Sequence, residues 1–363
     1  MDTQKLDQTY IANTYARFPV TIVKGKGSLV WDDTGKEYID LSTGIAVDIF
    51  GVADEEWMAA VTKQLGTLQH ISNLYYTEPC VKLAQMLCEK TGMKKVFFGN
   101  SGAEANECAI KAARKWSEEK KGKDYSTIIT LKNSFHGRTI TTLAATGQDV
   151  FHHDFTPLTE GFVYAEPNDL ADLEQLIKAN KCAAVMMEVV QGEGGVMPLD
   201  EAYVKGAAKL CEQYDLLLIC DEVQVGNGRS GKLYGYMHYG VQPDIVSTAK
   251  GLAGGLPLGA TLLGEKVQDV LSAGTHGSTF GGNPVCCAGA INVLSRLDEK
   301  MLEGVEERSA YIKQELAGAK GVLGVSGLGL MLGIQTEKNA SDIIAACREK
   351  GVLVIKAKDK LRL

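Results

Sequence analysis

From about residue 55 the chain alternates amphipathic stretches with short, almost wholly apolar runs. "EEWMAAVTKQL" and "PCVKLAQMLCEKTG" carry their hydrophobic residues at helical spacing. "KVFFGN", "STIITL", "AAVMMEVV", "LLLIC" and "DIVSTA" are continuous in apolar and β-branched residues, as parallel strands covered on both faces are. This alternation predicts an α/β domain with a mostly parallel central sheet. Upstream, "VTIVKGKGSLVWDDTGKEYIDL" is cut into strand-like pieces by Gly and Asp, which predicts hairpins. Beyond about residue 285 the pattern is helical and then strand–helix–strand, in "VLGVSGLGLMLGIQ", "ASDIIAACREKG" and "VLVIKA". The expected division is residues 1–50 joining a small α+β domain, 51–285 as the large domain, and 286–363 completing the small one.

Bulk properties narrow the function classes. The 363 residues carry a net charge of −7 with both signs mixed, which lacks the clustered basic footprint of a nucleic-acid binder. No apolar run reaches the roughly 18–20 residues of a membrane span. The start, "MDTQKLDQTYIANTYARF", has no apolar core of a secretory signal. Nine cysteines, without a CxxC or a Cys/His cluster of zinc spacing, read as reduced thiols in a cytoplasmic protein with no metal centre.

Open α/β sheets bind ligands past the carboxyl ends of their strands, so the residues following each apolar run are the candidates for chemistry. After "KVFFGN", Ser101 and Glu104 fit a capping box opening a helix. Gly102 and Ala103 leave its first-turn amides open to an anion, although the turn taken alone is equally an ordinary capped helix. No P-loop or G-x-G-x-x-G accompanies it, so a nucleotide-binding reading is poorly supported. Asp221 follows "LLLIC", Glu188 and Glu193 follow "AAVMM", and Arg138 follows "STIITLKN". Lys250 is the lone charge in "IVSTAKGLAGGLPLGATLL". A lysine in apolar surroundings has a lowered pKa and a nucleophilic amine, which condenses with aldehydes. A cofactor that is both aldehyde and phosphate would use Lys250 and the 101–103 turn together, and pyridoxal 5'-phosphate (PLP) is such a molecule.

At these residues the chain closely resembles the class III, fold-type I PLP-dependent aminotransferases. The matching stretches are "GNSGAEANECAIKAAR", "SFHGRT", "EVVQGEGG", "DEVQ", "STAKGLAGGLPLGA" and "GSTFGGNP". Within that family, "ISNLYYTEP" and the overall spacing are most similar to the acetylornithine-specific branch. The resemblance implies that Lys250 holds PLP and shuttles a proton, while Asp221 pairs with the ring nitrogen. It further implies that Phe135 and Val223 flank the ring, that Gln224 meets its 3'-oxygen, and that Glu222 belongs to the cofactor shell. Ser101, Gly102 and Ala103 would bind the phosphate. Ser278 and Thr279 would reach the partner's site in a homodimer, Thr279 at its phosphate. Arg138 would grip the substrate carboxylate, and Glu193 with Arg362 would form a switch that separates when a dicarboxylate needs the arginine. His136 reads as a structural hydrogen-bonder.

The implied reaction moves the δ-amino group of N2-acetylornithine to 2-oxoglutarate, giving N-acetylglutamate 5-semialdehyde and glutamate, a step of arginine biosynthesis. The same fold also carries ornithine, succinylornithine and 4-aminobutyrate aminotransferases and an aminomutase, and a PLP-binding chain without activity would share the signature. Three positions depart from the family pattern: Val52 where His is common, Val225 where a small hydroxyl or thiol is favoured, and Asn227 where a bulky apolar residue is usual. The family also continues past "LRL" with a Pro-rich turn and a helix, so Arg362 is expected at a frayed end.

Overall fold

The computed structural model of the chain describes residues 2–363. Seven strands form its central sheet, in the spatial order Lys95–Gly99, Gly259–Leu263, Ile245–Thr248, Leu217–Asp221, Cys182–Met187, Thr127–Leu131 and Phe162–Ala165. Six run parallel, and Gly259–Leu263 is antiparallel to both neighbours. The five strands expected from apolar runs are all present. The two added ones were masked for different reasons. Phe162–Ala165 is a four-residue edge strand with only one buried residue, and Gly259–Leu263 is wholly buried but emerges from a glycine-rich turn.

Helices cover both faces. Glu55–Leu65 and Glu78–Thr91 form where the periodicity placed them. The first starts on an Asp54 cap, whose carboxylate accepts from the Trp57 N–H at 2.9 Å. The second stops at Gly92 in the left-handed conformation, a stop that Gly makes without the Cβ penalty. The long helix Gly102–Lys121 buries Ala105, Cys108, Ala109, Ala112 and Trp116 against the strands, and so holds its N-terminus at the sheet's carboxyl edge.

The opening segment forms the antiparallel strands Ile22–Lys26, Leu29–Asp32 and Glu37–Asp40, and Val352–Leu353 adds to them in parallel. Residue 285 lies inside the helix Pro284–Arg296, which packs Cys287, Ala290, Val293 and Leu294 into the large core. A separate core of Ile334, Ala340, Ile344, Val354 and Leu361 forms beyond it, later than the expected break, because that helix docks on Glu55–Leu65 and Glu78–Thr91. The stretch "VLGVSGLGLMLGIQ" resolves into a hairpin, Val322–Leu328 and Met331–Thr336. Arg362 is not frayed. It lies in the strand Lys360–Arg362, paired with Gly333 on one side and Ile355 on the other, and is 2% exposed.

Candidate active site

The carboxyl ends of the strands converge on a cavity of about 450 Å³. Ser101, Gly102 and Ala103, then Phe135 and Arg138, then Asp221, Val223, Gln224 and Lys250 all line it. Ser101 caps its helix by accepting the Glu104 N–H at 3.2 Å. The returning arm differs from a capping box, because the Glu104 carboxylate accepts from the backbone N–H of Asn100. The first-turn amides of Gly102 and Ala103 have no partner within the helix and stand at the positive end of its dipole. A Cβ on Gly102 would lie 2.6 Å from Val223 Cγ1, so only glycine lets this turn approach the neighbouring wall.

Asp221 is 3% exposed and held from three sides. Its Oδ2 accepts from Asn106 Nδ2 at 2.8 Å and pairs with His136 Nδ1 at 2.8 Å, while Oδ1 accepts the Val223 N–H at 3.0 Å. These contacts fix the carboxylate's direction and leave lone pairs toward the cavity. His136 is therefore an orienting partner, as its structural reading anticipates. Asn106 was missed by the sequence reading, yet a signal existed: a polar residue flanking the apolar face of Gly102–Lys121 needs a buried partner.

Lys250 follows Ile245–Thr248 with φ at 48°, a left-handed backbone that non-glycine residues adopt at a cost. Burial, aided by the nearby Arg362 charge, pushes its amine down to about 8; Glu193, Glu188 and Asp221 oppose the fall. A free amine is thereby available near neutral pH. Glu188, fully buried, accepts the Phe135 N–H at 2.9 Å and the Gly192 N–H at 3.4 Å. It ties the loop carrying Arg138 to the loop carrying Glu193, and burial raises its pKa.

Arg138 is exposed, its guanidinium 5.3 Å from the Phe135 ring centroid and 5.8 Å from that of Phe151. Among the described residues no carboxylate pairs with it. Glu193 and Arg362 do pair, Oε1 to Nη1 at 3.2 Å, with Arg362 buried and Glu193 37% exposed. Neither lines the cavity, but both act on it through Lys250. Ser278 and Thr279 also lie off this cavity; Ser278 Oγ accepts from Asn100 Nδ2 at 3.1 Å, and Thr279 is exposed.

Glu222, expected in the cofactor shell, does not line the cavity. The carboxyl turns away and accepts the N–H groups of Gly235 at 2.7 Å and Tyr236 at 2.8 Å, because those amides are its only compensation for full burial, which pushes it up to about 8. Val52 and Val225 also miss the cavity: Val52 bridges Gly27 and Val225 packs on Gly235.

The cavity fits PLP. Gln224 lines it with both amide atoms buried and unpartnered, as a residue waiting for a polar ligand atom would be. The helix N-terminus suits a phosphate, Asp221 a protonated ring nitrogen, and Lys250 an aldehyde.

A family model described as "Aminotransferase class-III" matches residues 10–363. The chain belongs to the class-III aminotransferases. Among relatives of this aminotransferase, the acetylornithine aminotransferase of Haemophilus ducreyi is 50% identical over 362 residues, covering 99% of this chain and 92% of that one. The crystal structure of N-acetylornithine aminotransferase from Stenotrophomonas maltophilia aligns with a TM-score of 0.85 at 37% identity, covering 99% and 92% of the two chains. The ornithine aminotransferase from Toxoplasma gondii, whose active site shows partial occupancy of PLP, gives 0.94 at 34% identity, covering 99% and 87%.

Proposed function

We propose that this aminotransferase uses PLP to transfer the terminal amino group of N2-acetylornithine to 2-oxoglutarate, a step of arginine biosynthesis. The observation that carries the reading is the Glu193–Arg362 pair, its arginine buried and its glutamate partly exposed, close enough to Lys250 to act on its charge, with the unpaired Arg138 on the same cavity as that lysine. The name borne by the half-identical Haemophilus relative supports the acetylated donor over free ornithine.

PLP, when bound, supplies an aldehyde that takes up the amino group and a ring that stabilises negative charge at the substrate carbon. The residues supply the rest. Lys250, with its amine near 8, is the proton carrier at that carbon. Asp221, locked by Asn106 and His136, keeps the ring nitrogen protonated. Arg138, unpaired and at the mouth, holds the carboxylate remote from the reacting carbon: the α-carboxylate of acetylornithine and the distal carboxylate of 2-oxoglutarate. Arg362 is buried in its strand while Glu193 is partly exposed, so the glutamate is the arm that moves. With the pair closed, the end of the site beside Lys250 is nearly neutral and accepts a reacting carbon that bears no carboxylate. With it open, Arg362 receives the α-carboxylate of 2-oxoglutarate, and the two half-reactions share one site.

The working unit in this reading is a homodimer in a reducing, cytoplasmic compartment. Leu74, Tyr76 and Phe280 are 86%, 99% and 58% exposed, and Asn73 ties their two segments together through the carbonyls of Ser278 and Gly281. Apolar side chains this exposed on two joined segments support an interface there, and Ser278 and Thr279 stand beside them. All nine cysteines are free. The test is stopped-flow spectroscopy of the purified enzyme against acetylornithine, ornithine, succinylornithine and 4-aminobutyrate. Fastest conversion by acetylornithine, with glutamate formed only when 2-oxoglutarate is added, supports the reading. Faster conversion by another donor, or turnover without an oxo acid, rejects it.

A further inference from the structure

We infer that Asn227 is a positioning residue for Lys250, a clamp on the peptide that carries it. Asn227 is 1% exposed and holds φ at 56°, a left-handed conformation in which asparagine is among the better-tolerated residues. Its Nδ2 donates to Thr248 Oγ1 at 3.0 Å and to the Ala249 carbonyl at 2.9 Å. That carbonyl also accepts the Leu252 N–H at 3.0 Å. The Ala249 carbonyl and the Lys250 N–H belong to one rigid peptide plane. Gripping the oxygen from two directions therefore fixes the plane from which the Lys250 side chain departs.

The grip matters because the local backbone is unusual. Lys250 stands at φ 48°. A left-handed conformation at a non-glycine residue persists only where its surroundings over-determine it. Asn227 closes on the far side as well: a Cβ on Gly251 would meet Ile49 Cδ1 at 2.5 Å and Asn227 Cβ at 3.3 Å. The other end of the amide argues against a packing role. Asn227 Oδ1 is buried with no partner, a desolvation cost that an apolar side chain of similar size would not incur. The amide is retained for its two donated hydrogen bonds.

This inference rests on Lys250 being the residue that bonds to the cofactor. The test uses the holoenzyme and the variants Asn227→Gly, which keeps the left-handed backbone without the amide, Asn227→Leu and Thr248→Val, which removes one acceptor. Reduction with borohydride and peptide mapping checks the attachment at Lys250, and the visible absorption of the bound cofactor is titrated with pH alongside kcat and KM. Expected for both Asn227 variants is a cofactor still trapped at Lys250, a shifted absorption midpoint, and kcat lower by about tenfold or more, as a small misplacement produces. KM should stay within about twofold, and Thr248→Val should give a smaller change of the same kind. A normal Lys250 adduct with the wild-type midpoint and kcat in Asn227→Gly overturns the clamp alone. A loss confined to KM or to melting temperature, with an unshifted midpoint, overturns it equally. A wild-type adduct that maps elsewhere overturns the clamp together with the assignment beneath it.

Discussion

Replacing Lys250 by Met in the cofactor-free protein should make the fold more stable. The side chains are of similar length, and the change removes an ammonium held in apolar surroundings. The amine lies at about 8 in the folded chain against its ordinary 10.5. Each unit corresponds to about 1.4 kcal/mol, so the cost at pH 7 is up to about 3 kcal/mol. The sign follows from proton counting: between the two values the unfolded chain binds more protons than the folded one, so stability of the wild type rises with pH across that window. The advantage of Met should be full below pH 8, about 2 kcal/mol at pH 9 and below about 1 kcal/mol at pH 10. Urea unfolding of both proteins at these pH values measures it. A variant no more stable at pH 7, or a gap independent of pH, would refute the claim that desolvation primes this amine.

Other outcomes follow from the same geometry. Arg138→Ala removes a charged hydrogen-bonding partner worth about 1.5–3 kcal/mol, so KM for both carboxylate substrates should rise about 10- to 100-fold with kcat less changed; an unchanged KM in steady-state assays removes its clamp role. Glu193→Gln frees Arg362 from its ion pair, and KM for 2-oxoglutarate should fall by about tenfold while acetylornithine binds less well. Similar shifts for both substrates would contradict the switch. Glu222 sits near 8 when folded, above its ordinary 4.5, so the folded chain binds the extra proton and its stability falls as pH rises from 4.5 to 8. Glu222→Gln should flatten that decline in unfolding curves taken from pH 5 to 9, and an unaltered slope would show that the carboxyl is ionised throughout.

Much of this site was legible because strand ends are readable. Runs such as "LLLIC" and "DIVSTA" fix where the sheet stops, and a charge immediately after a buried strand needs a partner or a ligand. Asp221, Lys250 and the 101–103 turn were found that way. What periodicity could not reach is side-chain direction at the site's edge. Glu222 and Gln224 both follow the same strand, yet one turns to Gly235 and Tyr236 and the other toward the cavity. Long-range partners were equally hidden: Asn106 lies 115 residues from Asp221. The buried strand of Arg362 depends on pairing with Gly333 and Ile355, which a terminal tripeptide does not announce.

The central claim is a covalent one, and one measurement meets it directly. The holoenzyme is reduced with borohydride, digested, and its pyridoxyl-bearing peptide sequenced by mass spectrometry. A single adduct on the lysine of "STAKGLAGG", Lys250, is the predicted result. An adduct on any other lysine, or none in protein that shows the cofactor's visible band, would contradict the account.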